Sequence, residues 1–327
     1  MKALSYAGEH SVRFADVAAP QPAAGEEIVD VLVAGICGTD LGAVRSGRPP
    51  LPVGLTIGHE FVGRRQRDGA LVVANPIFSC GECRACRERR RHLCEKRQVL
   101  GVHRNGAFAE SVLVPASNLV EVGTLDPTRA AMVEPIATAL HAWRLSPMPQ
   151  RDVAVLGAGP IGMSLLHVLK ENRVTNITVT DIAPERRAMA LRCGADIATE
   201  MAESVYEAVI DTVGAVTTRR NAVENVRPGG TAVLVGLHAP EFAVAGGPVV
   251  AGERTIRGSF AYSHDEFVEA VDLAKSLDTR WIASVPFDRS ADAFAALLTG
   301  TADPACIKVH FSITNPTEER IQPGREK

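Results

Sequence analysis

The stretch that most limits how this chain can fold is VAVLGAGPIGM, residues 153–163. Four apolar residues lead into glycines at 157, 159 and 162, and an apolar helical run follows to Asn172. The next apolar segment, ITVTD, ends on Asp181. A buried strand that turns on glycine into a helix, followed by a strand ending in an acid, is the context in which G-x-G-x-x-G signals dinucleotide binding. Gly157 allows the tight turn, Gly159 lets the backbone approach a pyrophosphate, and Gly162 lets the helix pack on its strand. Pro160 and Ile161 open the helix, whose N-terminus favours phosphate charge. Asp181 is expected to accept hydrogen bonds from the adenosine ribose and to repel a 2′-phosphate, so NAD is expected ahead of NADP. Arg186 and Arg187 stand near enough to soften that preference. The competing readings are glycines kept for packing and Asp181 as a helix cap.

The alternation continues through YEAVIDTVGA, TTRRNAVENV and GGTAVLVGL, which predicts an α/β domain with a doubly wound parallel sheet. Before residue 140 the texture differs. Short β-type runs such as EEIVDVLVAGI, ALVVANPIF and AESVLVP are broken by Gly and Pro, with a hairpin turn expected at Asp68-Gly69. This reads as a small barrel-like β domain. IKVHFSIT reads as a closing strand, and the polar tail NPTEERIQPGREK is expected to fray. At 327 residues the chain suits two domains. A net charge of −3 supplies no positive field for nucleic acid or an anionic membrane. There is no signal peptide and no apolar run of about 18 residues, so a cytoplasmic protein is expected. Clustered cysteines there are more often metal ligands than disulfides, and seven cysteines is an odd number.

Four of the seven, Cys80, Cys83, Cys86 and Cys94, have the spacing C-x2-C-x2-C-x7-C. Four thiolates fill a tetrahedral zinc shell and leave no position for substrate, which predicts a structural site. A redox dithiol would need only two of them, and an iron–sulfur cluster is the other reading of the count. The surrounding Arg84, Arg87 and Arg89–Arg91 alternate with Glu82, Glu88 and Glu95, with no aromatic residue interleaved. That is a solvated face rather than a nucleic-acid module. Further candidates are Cys37 in GICGTD, His59 and Glu60 in IGHEFVG, and Glu134 in VEPIATALHA. One thiolate, one imidazole and one or two carboxylates suit zinc with an open coordination position, although their spacing alone is a weak signal.

The order GICGTD, IGHEFVG, CGECRACRERRRHLC, VEPIATALHA, VLGAGPIGM, VTD, RPGG and IRGSFAYS resembles the zinc-dependent medium-chain dehydrogenases, most of all the sorbitol/polyol and threonine dehydrogenase branch. The resemblance runs over nearly the whole chain. It implies a GroES-like β-barrel catalytic domain from residues 1–143 and 284–327, with a structural-zinc lobe at about 79–97. A Rossmann domain at 144–283 is inserted, and the active site would lie in the cleft. It implies two zincs, one structural and one catalytic, the latter held by Cys37, His59 and either Glu60 or Glu134. Asp40 would orient His59, Thr39 would touch the substrate oxygen, and backbone near LVGL and GSF would hold the nicotinamide. The implied activity is hydride transfer between NAD and a secondary alcohol or ketone such as a polyol, sugar, cyclitol or aminocyclitol. A threonine-type amino alcohol is the alternative, and a non-catalytic zinc- and nucleotide-binding protein is the rival from another class. Relatives pair an edge strand near GPVVAGERTIRGS across a two-fold axis, so a homodimer or homotetramer is expected.

The chain departs from that pattern at Gly42, where relatives often carry a histidine that continues a proton relay, and in a short connection at 64–78. His103, His141, His238, Cys193, Cys306 and Trp143 are expected to serve structure.

Overall fold

The computed structural model describes residues 1–47, 49–148 and 151–313; the C-terminal tail lies outside them. The described chain divides into two compact units, 1–134 with 282–303 and 308–313, and 135–281 with 304–307.

In the first unit, β1 (Glu26–Gly35) is the organising strand. Val29 and Val31 are buried with more exposed neighbours between and beside them, and after an irregularity in register between Val31 and Val33, Ala34 and Gly35 are both buried. After Cys37 comes helix α1 (Gly38–Ser46), and β2 (Glu60–Arg65) then returns antiparallel to β1. The connection after β2 turns at Gly69, whose φ of 73° lies in the left-handed region that glycine tolerates. The strands order as Ile282–Pro286, Lys308–Ser312, β1, β2, Leu71–Ala74 and Leu119–Glu121, with Ser111–Pro115 also paired to β1. Segments from both ends of the sequence therefore meet on one strand. The register matters for chemistry, because Gly35 pairs with Glu60 on one side and His310 on the other. Paired residues point to the same face of a sheet, so Glu60, Gly35 and His310 form one row. The core beneath includes an edge-to-face contact of Phe108 and Phe311, with ring centroids 5.0 Å apart.

Helix α2 (Val133–Leu145) begins at the end of the first unit and runs into the second. There, β3 (Arg151–Leu156), α3 (Pro160–Glu171), β4 (Thr175–Thr180), β5 (Ile197–Thr199), β6 (Tyr206–Asp211), β7 (Val226–Leu234) and β8 (Thr255–Gly258) build a parallel sheet. The strand order is β5-β4-β3-β6-β7-β8, and every neighbouring pair is parallel. Val153, Ala154, Val155, Val209 and Ile210 are wholly buried, as strands covered on both faces must be. The order reverses between β3 and β6, the switch point at which open α/β sheets bind ligands. Helix α4 (His264–Ala274) clamps α2 within this unit. His141 Nδ1 lies 2.9 Å from Glu266 Oε2, and Arg144 reaches Glu269 at 2.7 Å. Trp143 is buried, as expected of a packing residue. Among the described residues no helix is long and apolar enough to cross a membrane.

Candidate active site

Cys80, Cys83, Cys86 and Cys94 converge. Their sulfurs stand 3.9 Å (Cys80–Cys86), 3.5 Å (Cys83–Cys86) and 3.5 Å (Cys94–Cys80) apart, and all four lie within 4.8 Å of one another. Zinc–sulfur bonds of about 2.3 Å in a tetrahedron place sulfurs roughly 3.8 Å apart, whereas a disulfide would bring them to about 2.05 Å. All seven cysteines are free thiols, so the donor set fits zinc. Backbone N–H groups support it: Cys83 donates to Cys80 Sγ and Cys80 donates to Cys94 Sγ, both at 3.4 Å. Hydrogen bonding, first from the Cys86 backbone, pulls the Cys83 thiol down to about 6, whereas burial pushes Cys86 up to about 11. The neighbouring charges are paired at the surface, Arg84 and Arg90 with Glu88 and Lys96 with Glu82.

A second donor group forms where β1 and β2 run side by side. Cys37, His59 and Glu60 bring their ligand atoms within 4.8 Å of one another. Local sequence explains much of this. Cys37 is the N-cap of α1, accepting the Thr39 N–H on sulfur at 3.4 Å, while Asp40 Oδ2 accepts the Cys37 N–H at 3.0 Å. Cys37 and Asp40 thus form a capping box. Asp40 Oδ1 stands 3.3 Å from His59 Nδ1. Both atoms are buried, and neither makes a hydrogen bond among the described residues, so their approach is that of a charge pair. Asp40 occupies the Nδ1 edge, so Nε2 is the nitrogen available to a metal. Burial disfavours the His59 imidazolium, but the charges of Asp40 and Cys37 outweigh it and hold its pKa well above the ordinary value. Burial, then the Glu60 charge, raises the Cys37 thiol. A divalent cation inverts this balance and deprotonates a coordinating thiol. Sulfur, imidazole and carboxylate in one pocket fit a zinc site with three protein ligands. Glu134, in the first turn of α2, stands outside the three-donor group. Thr39 is exposed beside Cys37, and Gly42 faces open space, with nothing within 4 Å of a methyl built there.

In the second unit the glycine turn has the form that a dinucleotide needs. Gly157 has a φ of 97°, and a methyl on it would strike Val213. A methyl on Gly162 would strike the Gly157 carbonyl, so this glycine sets the close approach of α3 to β3. Gly159 has nothing within 4 Å of its would-be methyl, and as N-cap of α3 it leaves the helix N-terminus without a side-chain cap. Open space at the positive end of a helix is a cradle for pyrophosphate. Asp181 Oδ2 accepts the Ala158 N–H and Oδ1 accepts the Ala183 N–H, both at 2.9 Å. A carboxylate has about four acceptor sites, so lone pairs remain for ribose hydroxyls. Arg186 Nη1 lies 4.0 Å from Asp181 Oδ2, and its Nε donates to the Pro304 carbonyl at 3.3 Å.

Residues 23–124 match the alcohol dehydrogenase GroES-like domain, and residues 160–276 match the zinc-binding dehydrogenase domain. An L-threonine 3-dehydrogenase of Saccharopolyspora erythraea is 32% identical over 315 residues, covering 86% of this chain and 91% of that one. The chain belongs to the zinc-dependent alcohol dehydrogenases. It is therefore a zinc-binding oxidoreductase that works with a nicotinamide cofactor on an alcohol–carbonyl pair, in the GroES-like and Rossmann arrangement. An L-galactonate-5-dehydrogenase of Escherichia coli K12 is 31% identical over 273 residues, 76% of this chain and 80% of that one. An alcohol dehydrogenase of Escherichia coli CFT073, solved with NADH, superposes with a TM-score of 0.88 at 29% identity, covering 95% of this dehydrogenase and 99% of that chain.

Several residues near these sites escaped the sequence reading. Lys308 is wholly buried and donates to Glu60 Oε2 and to the Ile36 carbonyl, the latter at 2.8 Å. Its one signal was a lone lysine in the apolar run IKVHF. Thr212 and Val213 flank the glycine turn, Thr212 Oγ1 donating to the Leu156 carbonyl at 2.8 Å. Of the residues expected to serve structure, His103 accepts the Val99 N–H at 3.0 Å and His141 pairs with Glu266. Cys193 lies 3.8 Å from Asp278, and burial pushes its thiol up to about 11. His238 is exposed.

Proposed function

We propose that this dehydrogenase transfers hydride between NAD and a secondary alcohol or its ketone, with a polyol, sugar, sugar acid, cyclitol or aminocyclitol as substrate. The observation that carries the reading is the contrast between four sulfurs that complete one shell and three donors that leave another open. Structural zinc sites are closed and catalytic ones keep a position free. Cys37, His59 and Glu60 are the proposed catalytic ligands, and Cys80, Cys83, Cys86 and Cys94 the structural ones. Glu134 is the carboxylate that would act near the first group without joining it. Zinc bound there supplies a Lewis acid that polarises the reacting oxygen.

Asp40 holds His59 in one tautomer, with the Nδ1 edge committed to the carboxylate. Thr39 presents its hydroxyl as the first proton acceptor from the substrate. With Gly42 in place of a relay histidine, the proton passes to water or to a ribose hydroxyl. Gly157, Gly159, Pro160, Ile161 and Gly162 cradle the pyrophosphate, Asp181 binds the ribose, and Arg186 lies at its edge. The Asp181 charge supports NAD over NADP. A threonine-type amino-alcohol substrate is the second reading, supported by the Saccharopolyspora relative. The protein would act in the cytoplasm as a homodimer or homotetramer. The four exposed residues of β8, at the edge of the parallel sheet, support strand pairing between copies.

The test is nicotinamide absorbance with polyols, sugar acids, aminocyclitols and threonine, each with NAD and NADP, before and after chelation of the labile zinc. Turnover that vanishes on chelation and returns with zinc is the expected result. Activity indifferent to chelation would overturn the reading, and a preference for NADP would overturn the role given to Asp181.

A further inference from the structure

Lysine is almost never fully buried unless it is paired. Lys308 is 1% exposed, and its side chain is 0% exposed. It lies on the closing strand two residues before His310, on the same face as Gly35 and Glu60. Because Gly35 has no side chain, the lysine can cross over β1. A methyl at Gly35 would stand 2.7 Å from Glu60 Oε2 and 2.9 Å from Lys308 Cε. Beyond that floor the ammonium meets two acceptors, Glu60 Oε2 and the carbonyl of Ile36. Ile36 is the residue before Cys37. One buried cation therefore grips the two segments that carry Cys37 and Glu60, and it takes only one of the two Glu60 oxygens.

We infer that Lys308 is a positioning residue of the catalytic metal site: through Glu60 it fixes which carboxylate oxygen is offered to zinc. The inference rests on the proposed ligand set of Cys37, His59 and Glu60. With Oε2 held, Oε1 remains for the metal. The Glu60 ligand atom lies within 4.8 Å of those of Cys37 and His59, and a thiolate and a carboxylate drawn to one metal repel each other, which a cation behind the carboxylate offsets. Partners behind a metal ligand commonly govern tenfold to hundredfold in metal affinity, in the range of about 10–100-fold. A purely structural ion pair would instead stabilise the protein equally with and without metal.

The experiment compares the full-length wild type with Lys308→Met, Glu60→Gln and the double variant. Zinc affinity is read by chelator competition, with the four-cysteine zinc as an internal control, and cobalt substitution reports the ligand field. Each single variant is expected to weaken the catalytic-site zinc by about tenfold or more. Lys308→Met should also shift the visible cobalt bands, and the double variant should bind no more weakly than Glu60→Gln alone. Losses that multiply in the double variant, or unchanged affinity and cobalt spectrum in Lys308→Met, would overturn the inference. If Glu60→Gln itself leaves both readouts unchanged, the ligand assignment has failed and the inference falls with it. Lys308→Gln keeps a hydrogen-bond donor and carries the same test, with a smaller loss, should the methionine variant not fold.

Discussion

The two proposed metal sites of this dehydrogenase are built in opposite ways. The four-cysteine group draws every donor from residues 80–94, and N–H···S bonds from Cys80 and Cys83 in the same stretch support it. The three-donor site takes Cys37 from a helix cap and His59 and Glu60 from the start of β2. Glu60 is then held by Lys308, 248 residues away. Closed chemistry needs only a local loop that brings four sulfurs together. Open chemistry needs a missing ligand, and the remaining three must be fixed by something other than the metal. Strand register, a capping box and a buried lysine supply that here.

The contrast is broken most severely by Cys94→Ser. It should remove one zinc of two and lower the melting temperature by on the order of 10 °C, because a structural zinc contributes folding free energy directly. Metal analysis and thermal unfolding report both. Cys37→Ser should do the reverse, cutting kcat about a thousandfold with the four-cysteine zinc retained and melting shifted by only a few degrees. Equal loss of both metals in either variant would show that the sites are not independent. Gly35→Ala should follow, with a loss of roughly 10–100-fold in catalytic-site zinc affinity as its methyl meets Glu60 and Lys308.

A smaller effect belongs to neither metal. Burial alone would raise the Glu266 carboxyl, but His141 and the Ser263 N–H overcome this and hold it down to about 2. The folded pKa is thus below the ordinary 4.5, so the stabilisation is complete above that value. It is lost as the pH falls through about 2, where the folded form also takes the proton. Glu266→Gln should flatten the acid limb of the stability curve while leaving zinc content unchanged. The mildest prediction is Gly42→His, for which the structure leaves open space. It should raise alcohol oxidation by up to roughly tenfold above about pH 6.5, where an exposed histidine is neutral and can take the proton.

What could be read from the sequence follows the same division. The cysteine spacing, the glycine turn and the alternation of strands and helices are local patterns, and each appears where its residues pointed. Cys37 with Asp40, and His59 with Glu60, stood out through the family resemblance of GICGTD and IGHEFVG, their spacing alone being a weak signal. Which of Glu60 and Glu134 stands with Cys37 and His59 was not legible, because that depends on which carboxylate the pairing of β1 and β2 carries toward Cys37. Gly35 was unremarkable in VAGIC and Lys308 was read only as part of a strand. Their meaning arises when antiparallel pairing sets Glu60, Gly35 and His310 in one row. The packing of 304–307 with the second unit, where Pro304 receives Arg186, likewise has no signature in its own residues.

The compactness of the 80–94 loop also orders events during synthesis. Its four thiols leave the ribosome more than two hundred residues before Lys308 does. At about 5–20 residues per second, that interval lasts roughly 10–40 s. On the proposed ligand sets, all four donors of the first zinc would thus be in place while the strand that completes the second pocket is still unmade. The open site would then be the later of the two to become able to hold its metal.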